Sequence, residues 1–256
     1  MRVSNSLFDG FAPADEVTAE AEGDLDVWGD SYDSLAEHHT ADGKHSFFLL
    51  HDSLATWGIP GEPQLISLQI IRDLQARTFR IDQARQPTVP FAQRWLINRG
   101  CPSQAIQLPQ GEHIVPADTL TSHLEDQIRS SGDRYDIEDH FTCDWRVPPY
   151  ETWVMVHDRH PGSTDLPVRI FLEASDLTTF TYTLREGAFR DSSSARTWLC
   201  DRDAPLPAPP KHLTSANRRA RAALARCITG PHRDGIASTP AALAPAAGEH
   251  TRRGIR

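Results

Sequence analysis

Pro13-Ala14-Asp15-Glu16-Val17-Thr18 returns 103 residues later as Pro116-Ala117-Asp118-Thr119-Leu120-Thr121, and Gly29-Asp30-Ser31-Tyr32-Asp33 returns as Gly132-Asp133-Arg134-Tyr135-Asp136. Between 13–33 and 116–136 the match needs no gap, and 9 of 21 positions are identical. It continues with His38-His39-Thr40-Ala41-Asp42 against His140-Phe141-Thr142-Cys143-Asp144, then Phe47–Asp52 against Trp153–Asp158. Ala92, Trp95, Leu96, Arg99 and Pro102 close the first copy, and Ala195, Trp198, Leu199, Arg202 and Pro205 close the second. Five blocks in one order are the signature of an internal repeat, which has to be found before local structure is read. The chain reads as a tandem duplication, with modules over 13–102 and 116–205, a linker over 103–115 and a tail over 206–256.

Each element can be read twice. Asp118 is placed to cap a helix whose Leu120, Leu124 and Ile128 recur at four-residue steps until Gly132 stops it. Val17, Ala21 and Leu25 repeat that helix in a more acidic form. Tyr135, Ile137, Asp139 and Phe141 predict a strand by their alternation, followed by strands over Glu151–His157, Val168–Glu173 and Thr179–Arg185. In the last of these, Phe180, Tyr182 and Leu184 alternate with Thr179, Thr181 and Thr183, as expected of a sheet with one solvated face. Ser192–Ser194 then caps a short helix carrying Ala195, Trp198 and Leu199. Gln64–Leu74 fits both a strand and a helix; its counterpart Val168–Glu173 decides for strand.

The expected fold is therefore α+β. Each module reads α-β-β-β-β-α, a four-stranded antiparallel meander with both helices on one face. Connections such as Val147-Pro148-Pro149 and His160-Pro161-Gly162 suit hairpins. Modules of about 90 residues are marginal alone, and the expectation is that they pack about a pseudo-two-fold axis. After Pro205, a Pro/Ala/Arg-rich tail is expected to be disordered apart from one amphipathic helix, Ser215 to Ile228.

The formal charge of −9 is unevenly spread: residues 1–40 hold ten acids and one Arg, whereas 204–256 hold nine basic residues and two acids. Of 26 basic residues 24 are Arg, the bias of a GC-rich genome. Met1-Arg2 leads into a polar stretch rather than the apolar run of a secretion signal, and the longest apolar runs are far too short to span a bilayer. The expectation is a soluble, cytoplasmic chain with no membrane contact. The four cysteines are not shared between the copies, so they read as separate reduced thiols rather than a disulfide framework.

Several constellations carry chemistry. His140, Cys143, His157 and His160 have ligand types and spacings that suit zinc. A hairpin turning near Arg146–Pro149 separates His140 from His157 by about 10 Å, and the first copy has Ala41 and Leu54 where Cys143 and His160 stand, so neither a metal nor any cofactor is expected. The acids and histidines that recur, Asp30/Asp133, Asp33/Asp136, His51/His157 and Asp52/Asp158, place His157 beside Asp136 across a hairpin. That is an acid–base pair for a hydrolase, with Asp158 as a further candidate, but no Ser or Cys nucleophile recurs with it. Structural ion pairing accounts for the same residues. Trp95/Trp198 and Leu96/Leu199 read as core, with Arg99/Arg202 free to cap the helix or meet an acid. Phe91–Ile106 passes for a helix-turn-helix, but its counterpart runs into Pro205–Pro210. Arg218, Arg219 and Arg226 of the tail are better placed to touch phosphates, weakly and salt-sensitively.

Residues 116–205 followed by a Pro-rich basic tail resemble proteins of plasmid-like elements in actinobacteria. That resemblance implies an accessory or regulatory role and carries no catalytic residue. Together these readings favour a non-catalytic interaction or regulatory protein with a protein partner, with a hydrolase and a weak nucleic-acid binder as alternatives.

Overall fold

The computed structural model describes residues 8–109, 111, 113–144 and 148–209. The amphipathic tail helix and Arg218, Arg219 and Arg226 lie outside the described residues. The first half runs β1 (Ala12–Pro13), α1 (Glu16–Trp28), β2 (Tyr32–His39), β3 (His45–Asp52), α2 (Ala55–Gly58), β4 (Leu65–Asp73), β5 (Thr78–Gln86) and α3 (Val89–Asn98). The second runs β6 (Val115–Pro116), α4 (Thr119–Arg129), β7 (Tyr135–Phe141), β8 (Glu151–Asp158), β9 (Val168–Asp176), β10 (Thr181–Phe189) and α5 (Ser192–Cys200). A short 3-10 helix, Ser103–Ile106, stands between them. Among the described residues no helix is long and apolar enough to cross a membrane.

Both halves form a five-stranded sheet of one design, ordered β1-β5-β4-β3-β2 and β6-β10-β9-β8-β7. The four long strands make the expected antiparallel meander. The fifth is a two-residue strand that pairs parallel at the edge, Ala12 with Thr78 and Val115 with Thr181. Even the irregularities repeat: β2 bulges between Ser34 and Ala36, and β7 between Ile137 and Asp139. The doubled Pro-Ala-Asp motif explains the entry to each first helix. Asp15 accepts from the Thr18 amide at 2.8 Å and its hydroxyl at 2.6 Å, and Asp118 accepts from both groups of Thr121 at 2.8 Å. Such a cap satisfies amides that the first helical turn leaves unpaired.

The helices do not share a face, contrary to the sequence-based expectation. Alternate residues of a strand point to opposite sides, and in the first sheet Phe48, Leu50, Ile66, Leu68 and Ile70 cluster with Leu25 of α1. Phe47, Leu49 and Leu65 cluster instead with Ala92 and Leu96 of α3. The second sheet does the same, with Val154, Val156 and Phe171 on α4 and Met155, Val168 and Ile170 on α5. The solvated sheet face expected from the Thr179–Thr183 alternation is helix-covered only toward Phe189, where α5 and Leu206 pack and the Ala188 amide donates to the Pro207 carbonyl; Thr179 is exposed and Thr181 and Thr183 are half-buried.

Nor is the packing two-fold. Phe91 of α3 leaves its own sheet and joins the second core, beside Leu124, Ile128, Tyr135 and Phe171. Arg94 lies over the Phe91 ring and donates to the Tyr135 carbonyl at 2.7 Å, while Arg129 of α4 donates to Gln93 at 3.2 Å. The second helix of one module therefore meets the first helix of the next. These are non-equivalent surfaces, so the contact is heterologous rather than isologous. The layers run α1, sheet, α3 with α4, sheet, α5. A second contact joins the modules where Gly61, at φ 85°, pairs with Thr142 and lies so close to the Phe141 ring that a Cβ there would clash.

Candidate functional site

Between the α3–α4 contact and the Gly61–Thr142 bridge lies a cavity of about 650 Å³. The first module supplies Leu35, His51, Gln64, Leu65 and the entry to α3, Thr88 and Val89. The second supplies Thr142, Thr152, Glu173, Phe180 and Tyr182, and the linker closes it with Leu108, Gly111, His113 and Ile114. The size is that of a small-molecule site, largely apolar with a few convergent polar groups.

Those polar groups are unusual. The Oγ1 atoms of Thr88 and Thr142 are buried with no hydrogen-bond partner, in residues only 3% and 5% exposed. Thr88 stands at the N-cap of α3 yet makes no capping bond. A buried polar atom without a partner costs free energy that native structures rarely leave uncompensated. Here one such hydroxyl comes from each module.

Glu173 is the charged group of the cavity. Burial, then the neighbouring Glu125 carboxylate, pushes its carboxyl up to about 7. Glu125, in α4 behind the cavity wall, is likewise pushed up to about 7, by burial, with Arg129 opposing and Asp126 reinforcing the shift. Tyr182 joins the pair by donating its phenolic hydrogen to Glu125 Oε1. Arg129 Nη1 stands 3.7 Å from Glu125 Oε2. Arg129 is thus engaged by Glu125 and Asp126, and the Glu173 carboxyl, with no such partner among the described residues, borders the cavity. No Lys or Arg is among the described lining residues.

The first module holds no such site. At the 103-residue spacing, Glu173 and Tyr182 correspond to Ile70 and Phe79, and Gly111 corresponds to Phe8. Phe8 is buried there and stacks on Phe79, with ring centroids 4.5 Å apart, in the cluster that contains Ile70. Where the first module inserts a ring, the second has a glycine and open space.

The residues singled out by their recurrence are placed elsewhere. Asp136 and His157 are cross-strand partners, as the hairpin required. The Asp136 carboxylate, however, meets Arg159 at 2.5 Å, and half-exposed His157 stands 3.7 Å from Glu138. Neither borders the inter-module cavity. Asp158 and its counterpart Asp52 close the ends of β8 and β3 by accepting the amides of His160 and Leu54, both at 3.0 Å. Asp52 then meets Arg85 at 2.7 Å. Asp158 is held by Arg134 through two bonds of 2.7 Å and by Ser163 at 2.6 Å. Burial alone would raise the Asp158 carboxyl, but these partners hold it well below the usual carboxylate range. Both are clamps of a turn.

His51, the counterpart of His157, does border the cavity. His140 sits opposite Val154, away from His157 in the ladder; among the described residues no three ligand-type side chains converge on a metal position. Cys143 is buried, its amide donating to Thr152 Oγ1 at 3.2 Å. The recurring Trp–Arg pairs are stacks: Arg99 lies 3.4 Å above the Trp95 ring and binds Asp82, and Arg202 lies over Trp198 and binds Glu151. Helix α3 is enclosed between the modules, which leaves it no face for a nucleic-acid groove, and the segment after it is a single short 3-10 helix.

No family model, curated protein or solved structure matches this chain.

Proposed function

We propose that this is a non-catalytic, small-molecule-binding regulatory protein whose ligand sits in the inter-module cavity. The carrying observation is that each module places in the wall of one space of ligand size a threonine whose buried hydroxyl has no partner, Thr88 and Thr142. A ligand there touches both modules and strengthens a contact otherwise made by α3, α4 and the Gly61–Thr142 pair. The same reading takes the two halves as products of a tandem duplication, one core kept as scaffold and the other opened as a site. Crystals soaked with indole, a neutral planar probe, test it: ordered density against Thr142 or Thr88 supports the reading, and a cavity holding only solvent at saturating indole sinks it.

The charge asymmetry favours an output through the tail. Nine basic residues over 204–256 suit weak contact with phosphates, which agrees with an accessory role on nucleic acid. Deleting residues 211–256 should then abolish salt-dependent DNA binding while leaving indole binding intact.

A further inference from the structure

We propose that the cavity takes an aromatic ring bearing a protonated amine, the ring lying on Tyr182 in the place that Phe8 fills on Phe79, and the ammonium against Glu173. This rests on the reading of the cavity as a ligand site and names the chemistry of its ligand.

The ring follows from the duplication. Phe8 stacks on Phe79 at an interplanar angle of 27°, and both are buried in the first core. Tyr182 keeps an aromatic surface at the corresponding position, while Gly111 removes the ring that would cover it. Aromatic pairs contribute beyond the area they bury, so an incoming ring regains what the second module lacks. Leu35, Leu65, Val89 and Leu108 line the rest of the space and accommodate an apolar extension.

The charge follows from what replaces the apolar wall. Ile70 in the first module is Glu173 in the second. The Glu173 carboxylate has no hydrogen bond or ion pair with a described residue, and the neighbouring Glu125 is already paired with Arg129. His51, His113 and Tyr182 are the other titratable lining groups. With Glu173 ionised, the cavity therefore carries a carboxylate and, among the described lining residues, no Lys or Arg to offset it, which favours an ammonium and rejects a carboxylate. A charge-assisted hydrogen bond to Glu173 is stronger than a neutral one.

Calorimetric titration of the full chain at pH 8 with tryptamine, the neutral alcohol tryptophol and the anion indole-3-acetate tests the inference. Tryptamine is expected to bind about tenfold or more tightly than tryptophol, and indole-3-acetate to show no measurable binding. Glu173→Gln should erase the tryptamine advantage and leave tryptophol within about twofold, whereas Tyr182→Leu should weaken both, each variant being checked as folded by near-ultraviolet circular dichroism. Tryptophol binding as tightly as tryptamine, or a tryptamine affinity indifferent to Glu173→Gln, overturns the cationic ligand but leaves the cavity reading standing. Absence of binding by all three probes overturns the inference, and the indole soak then decides separately whether the cavity is a site at all.

Discussion

Arg169 meets Asp158 at 3.3 Å with both side chains wholly inaccessible to solvent, at a position where the first module has Ile66. The guanidinium also reaches Ser163 at 2.9 Å and stands 3.4 Å from Glu186, while its Nη1 finds no partner. An ionic cluster of this kind is costly to form and costlier to break, because removing one member strands the others. Asp158→Ala should therefore lower stability by about 3–5 kcal/mol in chemical denaturation. Asp52→Ala, which frees the partly exposed Arg85, should cost clearly less. Equal losses would mean that the buried cluster adds nothing to the turn clamp.

The carboxyl pair sets a pH dependence of opposite sign to the usual one. Glu125 and Glu173 ionise near 7 in the folded chain, against an ordinary 4.5. The folded state therefore binds more protons in that window, and the pair's contribution is complete below about 4.5 and lost as pH rises through about 7. Asp158, held low, loses its contribution only as pH falls below the carboxylate range, so it does not mask the effect. Urea midpoints should fall between pH 5 and pH 8, and Glu173→Gln should flatten that fall. A midpoint rising over the same interval contradicts the assignment.

Phe91 is the anchor between modules. Phe91→Ala removes a fully buried ring from the second core and should cost about 3–5 kcal/mol. Ser194, its counterpart in α5, is exposed, and Ser194→Ala should change stability by no more than about 0.5 kcal/mol. Hydrogen exchange on the first variant should show faster opening of α4 and β7.

Two buried threonine hydroxyls should behave oppositely. Thr121 Oγ1 donates to Asp118 and accepts from the Leu184 amide at 3.0 Å, so Thr121→Val strands the buried Leu184 amide and should cost about 1–3 kcal/mol. Thr142→Val removes a hydroxyl that has no partner and should be neutral or stabilising in the empty protein, while weakening indole. Thermal melts with and without indole measure both effects.

Thiol mapping with an alkylating reagent should modify Cys200 ahead of Cys101 and Cys143. Cys200 is exposed, whereas burial pushes the Cys101 thiol up to about 11 and raises that of Cys143.

The four long strands of each sheet are legible because each segment can be read against its counterpart, and Val168–Glu173 resolves the ambiguity of β4 in this way; the two-residue parallel edge strands β1 and β6 are too short to carry a pattern. The helix faces are not legible. Strand alternation shows that Phe47 and Phe48 point apart, but not which side each helix covers, and β4 is buried on both, with Ser67 and Gln69 on the face of Leu65. The packing of the modules hinged on one ring, Phe91, which reads in sequence as ordinary core of its own helix. Recurrence in the sequence points away from the site, toward His157, Asp136 and Asp158. Recurring polar residues proved to be cross-strand pairs and turn clamps. The cavity lies where the copies differ, at Gly111 for Phe8, Glu173 for Ile70 and Tyr182 for Phe79, and those three differences were present in the aligned sequence.

A helix-to-next-helix contact has direction, like a row of tiles that overlap one way. Repeated, such a contact closes into a ring only where its rotation allows it and otherwise runs on. The outer end of the second module does not repeat the contact: Ser194 takes the place of the Phe91 ring, and Leu206 and Pro207 lie across the last sheet. At the other end α1 presents a strongly acidic surface, with Val17 and Trp28 exposed among its carboxylates. The leading tile and the trailing tile are thereby made unlike.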